Sequence, residues 1–297
     1  MLDLVKKIYR FAIPLKLRQM VWNYRYCRPI VKRVMTMRGA DIEPVKEFLK
    51  KHGFSVFPYD FIFKYRQMPI EVFTDADGYK YTIFEGKKMF AKKSWNEDTC
   101  REYFRGISLE QDVESPHCYI QNDKRLPDKD MVLADIGVAE GNFALAMVDK
   151  VKKIYLFECD EEWIDALQKT FAPYRNKVEI VKAYVSDKDS STGGDMVTLD
   201  TFFADKQIDY IKADIEGAEV SMLQGGKDIL KNKVKKIVCC TYHRGGDYET
   251  ISGILQDNNF QCEHNDGYML FPHSGFLCDN KPPVLRRGIV FGNKEFL

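Results

Sequence analysis

From about residue 130 onward, short apolar runs alternate with segments of helical periodicity. In chain order they read MVLADIG, NFALAMVDKV, KIYLFEC, DEEWIDALQKTF, VEIVKAYVSD, TLDTFFAD, IDYIKADIEG, AEVSMLQGGKDILK, KKIVCCTYH and YETISGILQDNNF. Runs of this length that alternate with helices predict parallel βαβ units. The expected fold is therefore α/β: a Rossmann-like, doubly wound and mostly parallel sheet. In such sheets a ligand sits at the carboxyl ends of the strands, near the point where strand order reverses. The tail supplies strand-like FQCEHN and GIVFGN, expected to form a terminal antiparallel pair.

The front of the chain has a different texture. Val5, Ile8, Tyr9 and Ala12 lie at helical spacing until Pro14 stops the pattern, and a second helical stretch runs from about Leu15 to Met37. A short helix is expected from Asp41 to His52, with Pro44 near its start and Gly53 after its end. Phe54 to Lys93 reads as a strand-like block, with Asp77-Gly78 as its hairpin turn between IEVFT and YKYTIFEG. Ser94-Trp95-Asn96-Glu97 opens a further helix, expected to reach about Phe104. The organisation that follows is a basic helical arm over 1–40, an accessory α+β region over 41–125 and the main α/β domain over 126–297.

The 297 residues are 45% hydrophobic and 30% charged, with a net charge of +1, so the whole molecule carries no bias towards nucleic acid. That balance hides a basic front: residues 1–39 hold ten Lys and Arg against Asp3 alone, a local charge of +9. Two readings of this arm stand: peripheral contact with an anionic membrane face, or packing on its own protein or a sister subunit. The eight cysteines form no C-x-x-C pair and no zinc-like spacing, and Cys239-Cys240 lies in an apolar run. They read as reduced thiols of a cytoplasmic protein. No apolar run approaches the length that spans a bilayer, and the N-terminus is too charged for a signal-peptide core.

Chemistry-bearing residues gather at the strand ends. The first strand of the main domain runs into Asp135-Ile136-Gly137-Val138-Ala139-Glu140-Gly141-Asn142-Phe143. Its glycines allow a tight turn with a ligand against the backbone, and the helix that begins near Asn142 points its amide N–H groups at that ligand. The spacing is not the G-x-G-x-x-G that cradles a pyrophosphate. The second strand ends in Glu158-Cys159-Asp160, placing an acid where a βαβ unit returns to ribose hydroxyls, while Asp160 suits a helix N-cap. The third reaches Tyr184-Val185, where an adenine would be edged or stacked. The fourth strand ends in Lys212, Asp214, Glu216 and Glu219, a density of charge expected to perturb proton affinities.

Together, DIGVAEGNFAL, FECD, AYVSD, VTLDTFF, IKADIEGAE and LQGGKDIL resemble the FkbM family of S-adenosylmethionine-dependent O-methyltransferases, over about residues 130–245. The resemblance implies a class I methyltransferase fold with S-adenosylmethionine held by Asp135, Gly137, Gly141, Asn142 and Glu158. It also implies methylation of a hydroxyl on a sugar, glycan or natural product. Ala139, Glu140, Phe143, Cys159, Tyr184, Val185 and Asp214 complete the expected cofactor contacts. Residues 1–110 lie outside the resemblance, and Glu140 stands where many relatives have Asn or Gly.

Methyl transfer requires alignment of oxygen, carbon and sulfur and removal of the acceptor proton. His243, after the fifth strand, is the expected base, with Asp214 orienting it or the substrate and Glu216 as a further candidate; His117 is a lesser one. No metal is expected: Tyr242-His243 takes the place where catechol-type relatives have Asp-Asn, leaving few oxygen ligands for Mg²⁺. Two other readings compete. A nicotinamide-dependent oxidoreductase would show the dinucleotide fingerprint, which is absent. A catalytically silent scaffold on membrane-associated glycan machinery would not need Gly137, Gly141 and Glu158 intact. No base-flipping segment accompanies the site, so a small-molecule or glycan acceptor is expected rather than nucleic acid.

Overall fold

The computed structural model describes residues 24, 27–190, 196–271 and 284–294. The helix expected over residues 2–13 and the first part of the next one lie outside these. The first described helix, α1, spans Arg28–Thr36, with α2 following at Glu43–His52. Pro44 opens α2 and Gly53, at φ +78°, closes it. Both helices pack through Ile30, Val34, Val45, Phe48 and Leu49 against Leu270 and Leu285, a small core of their own.

A three-stranded meander comes next: β1 (Phe73–Thr74), β2 (Lys80–Phe84) and β3 (Lys87–Phe90). The turn between β1 and β2 falls at Asp77-Gly78 as expected, with the Asp75 carboxylate accepting the amides of Asp77 and Tyr79. The front of that block is not strand. Asp60–Lys64 forms a 3-10 turn, which points Phe57 and Phe61 into a small aromatic cluster instead of laying them on a sheet face. Helix α3 covers Glu97–Glu110, capped by the Asn96 side chain on the Thr99 amide. It runs six residues past the expected end at Phe104.

The main sheet has seven strands. In chain order they are β4 (Val132–Ile136), β5 (Lys153–Glu158), β6 (Val178–Lys182), β9 (Tyr210–Ala213), β10 (Lys236–Cys240), β11 (Gln261–His264) and β14 (Ile289–Asn293). In space they run β11-β14-β10-β9-β4-β5-β6. All neighbours from β10 to β6 are parallel, and β14 is antiparallel to both β10 and β11. The expected terminal antiparallel pair is therefore present, with β14 inserted between β10 and β11. This is the Rossmann-like, doubly wound and mostly parallel sheet that the sequence predicts, and its strand order reverses between β4 and β9.

The connecting helices are α4 (Asn142–Met147), α5 (Glu161–Thr170), α6 (Leu199–Phe202), α7 (Glu219–Gln224), α8 (Lys227–Asn232) and α9 (Asp247–Asp257). Short pairs β7 (Tyr184–Val185) with β8 (Met196–Val197), and β12 (Met269–Leu270) with β13 (Leu285–Arg286), edge the sheet. The segment AEVSMLQGGKDILK, read as one helix, is broken into α7 and α8 at Gly225-Gly226. A Cβ on Gly225 would lie 2.0 Å from the Ser186 carbonyl oxygen, so close backbone approach dictates the break.

Strand alternation sorts two cores. Val132, Ala134 and Ile136 face α6 to α9, while Leu133 faces α4 and the accessory region. In the second core Met89, Cys100 and Phe104 pack with Leu133, Phe143, Leu145 and Leu156. Helix α3 therefore shares the main core. Among the described residues no helix is long and apolar enough to cross a membrane, and the seven described cysteines are free thiols.

Phe104 is 2% exposed within that shared core. Phe104→Ala is expected to cost about 3–5 kcal/mol. Urea unfolding should still show one transition, because α3 has no separate core to lose; two resolved transitions would count against the shared core.

Candidate functional site

The site grows from the strand ends at the reversal point. After β4 the chain turns through Gly137, Ala139 and Gly141, with φ of +74°, +49° and +82°. Gly137 has no alternative: a Cβ there would lie 1.9 Å from the Asp214 carbonyl oxygen, so the ends of β4 and β9 touch backbone to backbone. Below that contact, Asp135 and Lys212 face each other in register on adjacent strands. Lys212 Nζ lies 3.0 Å from Asp135 Oδ1 and donates to the Gly137 carbonyl at 2.8 Å. Both residues are buried. Burial alone would lower the lysine pKa, but the charges of Asp135 and Asp214 overcome it and hold the ammonium form.

Glu158, at the end of β5, folds back on the same turn. Its Oε2 accepts the Ala139 amide at 2.9 Å, and its Oε1 accepts those of Cys159 at 2.7 Å and Asp160 at 2.9 Å. Asp160 caps α5 by accepting the amides of Glu162 and Trp163.

Beyond β9 the acids separate by environment. The Asp214 carboxylate accepts the Tyr119 hydroxyl at 2.7 Å and the Tyr242 hydroxyl at 3.3 Å. His117 Nε2 lies 3.6 Å from one of its oxygens and His243 Nε2 3.3 Å from the other. Burial would raise its pKa, yet His117, Lys212 and His243 together hold it well below the carboxylate range. Glu216 projects outward from a strained turn, with its own φ at +55° and Gly217 at +93°. Glu219 turns inward, accepting the Ile215 amide and meeting His243 Nδ1 at 2.9 Å.

His243 is thus ringed by carboxylates: Glu219 on one nitrogen, Asp214 and Glu216 on the other. It is 5% exposed. Burial works against its charge, but the three acids outweigh that and raise its pKa above the ordinary imidazole value. Expected as the base at the acceptor, it is placed beneath Asp214 with both nitrogens facing acids. The geometry suits a residue that positions Asp214.

Above these strand ends lies a cleft of about 330 Å³. Gly137, Ala139, Glu140, Asn142, Asp214 and Glu216 line it, as do His117, Lys212 and Tyr242. Other expected contacts fall elsewhere. Asp135 lies under the floor, Phe143 is core, and Gly141 packs on Leu167 and Phe171 at the start of α4. Cys159, Tyr184 and Val185 sit past β5 and β6, away from the cleft lining, with Tyr184 largely exposed.

The far wall went unforeseen. Tyr103, Ile107 and Glu110 of α3 close the cleft, and the Tyr103 hydroxyl donates to Glu140 Oε2 at 2.5 Å. Their spacing over four and three residues was the available signal, hidden because the helix was ended at Phe104. The metal question also changes in detail: His117, Asp214 and Cys240 form one group of ligand-type atoms, and Asp214, Glu219 and His243 another. These atoms already contact one another: His117 Nε2 meets Cys240 Sγ at 3.4 Å and Asp214 at 3.6 Å, and His243 meets both Asp214 and Glu219.

Residues 182–262 match the sequence profile described as the Methyltransferase FkbM domain. No curated protein sequence matches the chain significantly. Among solved structures, the chain is similar to an FkbM methyltransferase from Methylobacillus flagellatus KT at 16% identity, with a TM-score of 0.47. That alignment covers 67% of this chain and 55% of the other, so the chain spans little more than half of that relative's length. A precorrin-6y C5,15-methyltransferase from Geobacter metallireducens aligns at 15% identity and TM-score 0.38, over 58% of this chain and 84% of its own. M. jannaschii TYW2 in complex with AdoMet aligns at 12% identity and TM-score 0.38, over 75% and 88%. On its sheet of reversed strand order, the chain is thus similar to the FkbM methyltransferase domain over residues 182–262.

Proposed function

We propose that the chain is an S-adenosylmethionine-dependent O-methyltransferase acting on a hydroxyl of a sugar, glycan or natural product. The observation that carries this reading is the cleft at the reversal point, floored by the glycine turn and walled by Asp214 and Glu216, in a chain that matches the FkbM domain. Its volume falls within the range of small-molecule sites.

The residues present suit the cofactor. The turn 137–142 exposes backbone to an amino-acid end, and Glu158, which is buried outside the cleft lining, is tied to that turn through the Ala139 amide, on the side where ribose hydroxyls would be met. Glu158 already takes three amides, so it would meet a ribose as a rigid acceptor with its direction fixed. When bound, the cofactor offers a methyl group on a sulfonium, which leaves readily. The chain's task is alignment and proton removal. Asp214 and Glu216 face the acceptor side, and His243 holds Asp214 through the contact on its outer nitrogen. Glu110, which lines the opposite wall, has its pKa raised by burial and by the nearby acids Asp214 and Glu216, against the pull of His117.

The first test is calorimetric titration with S-adenosylhomocysteine beside NAD⁺. Micromolar binding of the former alone is expected; binding of NAD⁺ alone would overturn the reading, and binding of neither would favour a silent scaffold. Glu158→Ala should weaken S-adenosylhomocysteine by about 1–3 kcal/mol while circular dichroism stays unchanged. Equal affinity in that variant would remove Glu158 from the site. His243→Ala leaves the buried Glu219 without its imidazole and should cost about 3–5 kcal/mol in urea denaturation. A loss below about 1 kcal/mol would show that the ring is not holding the acids together.

A further inference from the structure

The cleft contains a carboxyl group whose environment is not explained by the fold. Glu140 stands on the glycine turn, lines the cleft and is 4% exposed. Its Oε2 accepts the Tyr103 hydroxyl, and among the described residues it makes no salt bridge. The charged groups that face it are already committed or of its own sign. Lys212, from β9, gives its ammonium to Asp135 and the Gly137 carbonyl. Glu110, from α3, repels it, and Asp214 across the floor is another acid. From β5, Glu158 is tied to the same turn through the Ala139 amide. A buried carboxylate with a phenol on one side, an open cleft on the other and no cation of its own is built to receive one.

We propose that Glu140 is the counter-ion for the α-ammonium group at the amino-acid end of the cofactor, held in place by Tyr103, so that cofactor capture is linked to ionisation of Glu140. This rests on the S-adenosylmethionine reading above and adds a recognition element that the accessory helix controls. Burial pushes the Glu140 carboxyl up to about 7, with the Tyr103 hydrogen bond pulling the other way. The free site therefore holds a proton at this position in mildly acid solution and releases it as pH rises. An incoming ammonium favours the ionised form, so affinity should climb across the same window.

S-adenosylhomocysteine is the suitable probe, because it keeps the α-ammonium and lacks the sulfonium charge. With a midpoint near 7, the ionised fraction rises about tenfold between pH 6 and pH 8. Calorimetry on the full chain should show that gain in affinity, with proton release near neutrality detected by varying the buffer's ionisation enthalpy. Glu140→Gln keeps the shape and the Tyr103 contact; it should bind as weakly at pH 8 as the wild type does at pH 6, with no pH dependence. Tyr103→Phe removes the phenol that favours the ionised form and should move the midpoint to higher pH. A Glu140→Gln protein with wild-type affinity and wild-type pH dependence overturns the proposal. A folded wild type that fails to bind S-adenosylhomocysteine at any pH overturns the cofactor reading itself, a different result from binding that is tight but flat with pH.

Discussion

Everything at the carboxyl edge of this sheet depends on one buried ion pair, Asp135 with Lys212. The two residues face each other across the strands where the sheet reverses its order, and their charges could not remain buried apart. The lysine also takes the Gly137 carbonyl, so a single ammonium joins β4, β9 and the first residue of the turn. Given that clamp, the backbone of the turn can press on Asp214 only if position 137 has no side chain. The glycine is thus a consequence of the pair as much as an adaptation to a ligand. The same clamp holds together the two strand ends from which the turn with Glu140 and the residue Asp214 reach the cleft.

Four acids share the cleft, and their surroundings make them chemically unlike. Asp214 is half-buried among two imidazoles, two phenols and a lysine, and is held ionised. Glu140 is buried with a phenol and, among the described residues, makes no salt bridge, and its proton affinity rises. Glu110 rises as well, by burial near acids of its own sign. Glu216 projects outward. One functional group, the carboxyl, supplies a fixed charge, a titrating group and an exposed acid within a single small cavity, through burial and neighbours.

The parts of this design that were legible in the sequence follow a physical rule. β4, β5, β9 and β10 are covered on both faces, so each reads as a short apolar run with a chemical residue at its end. The hairpin at Asp77-Gly78 was readable because its turn chemistry is local. What escaped depends on contacts distant in sequence. The Gly225-Gly226 break answers to a carbonyl at Ser186, which no helical periodicity reveals. His243 follows the fifth strand as expected, but the approach of Glu219 to its inner nitrogen is set by the start of α7, and that contact changes what the ring can do. Phe57 and Phe61 carry strand-like composition yet serve a cluster wrapped around a 3-10 turn.

The extent of α3 matters most among these differences. Ended at Phe104, the helix is an accessory feature beside the domain; continued to Glu110, it is the far wall of the cleft. Phe104 and Cys100 anchor one face in the main core, while Tyr103, Ile107 and Glu110 turn to the ligand side. Because the anchor is the core itself, the wall cannot swing away without exposing buried apolar surface, and the phenol on Glu140 is held at short range. The FkbM match covers the strand ends on the opposite side and does not reach α3. The far wall and the glycine turn are thus held by one core, and Tyr103 joins the one to the other at Glu140.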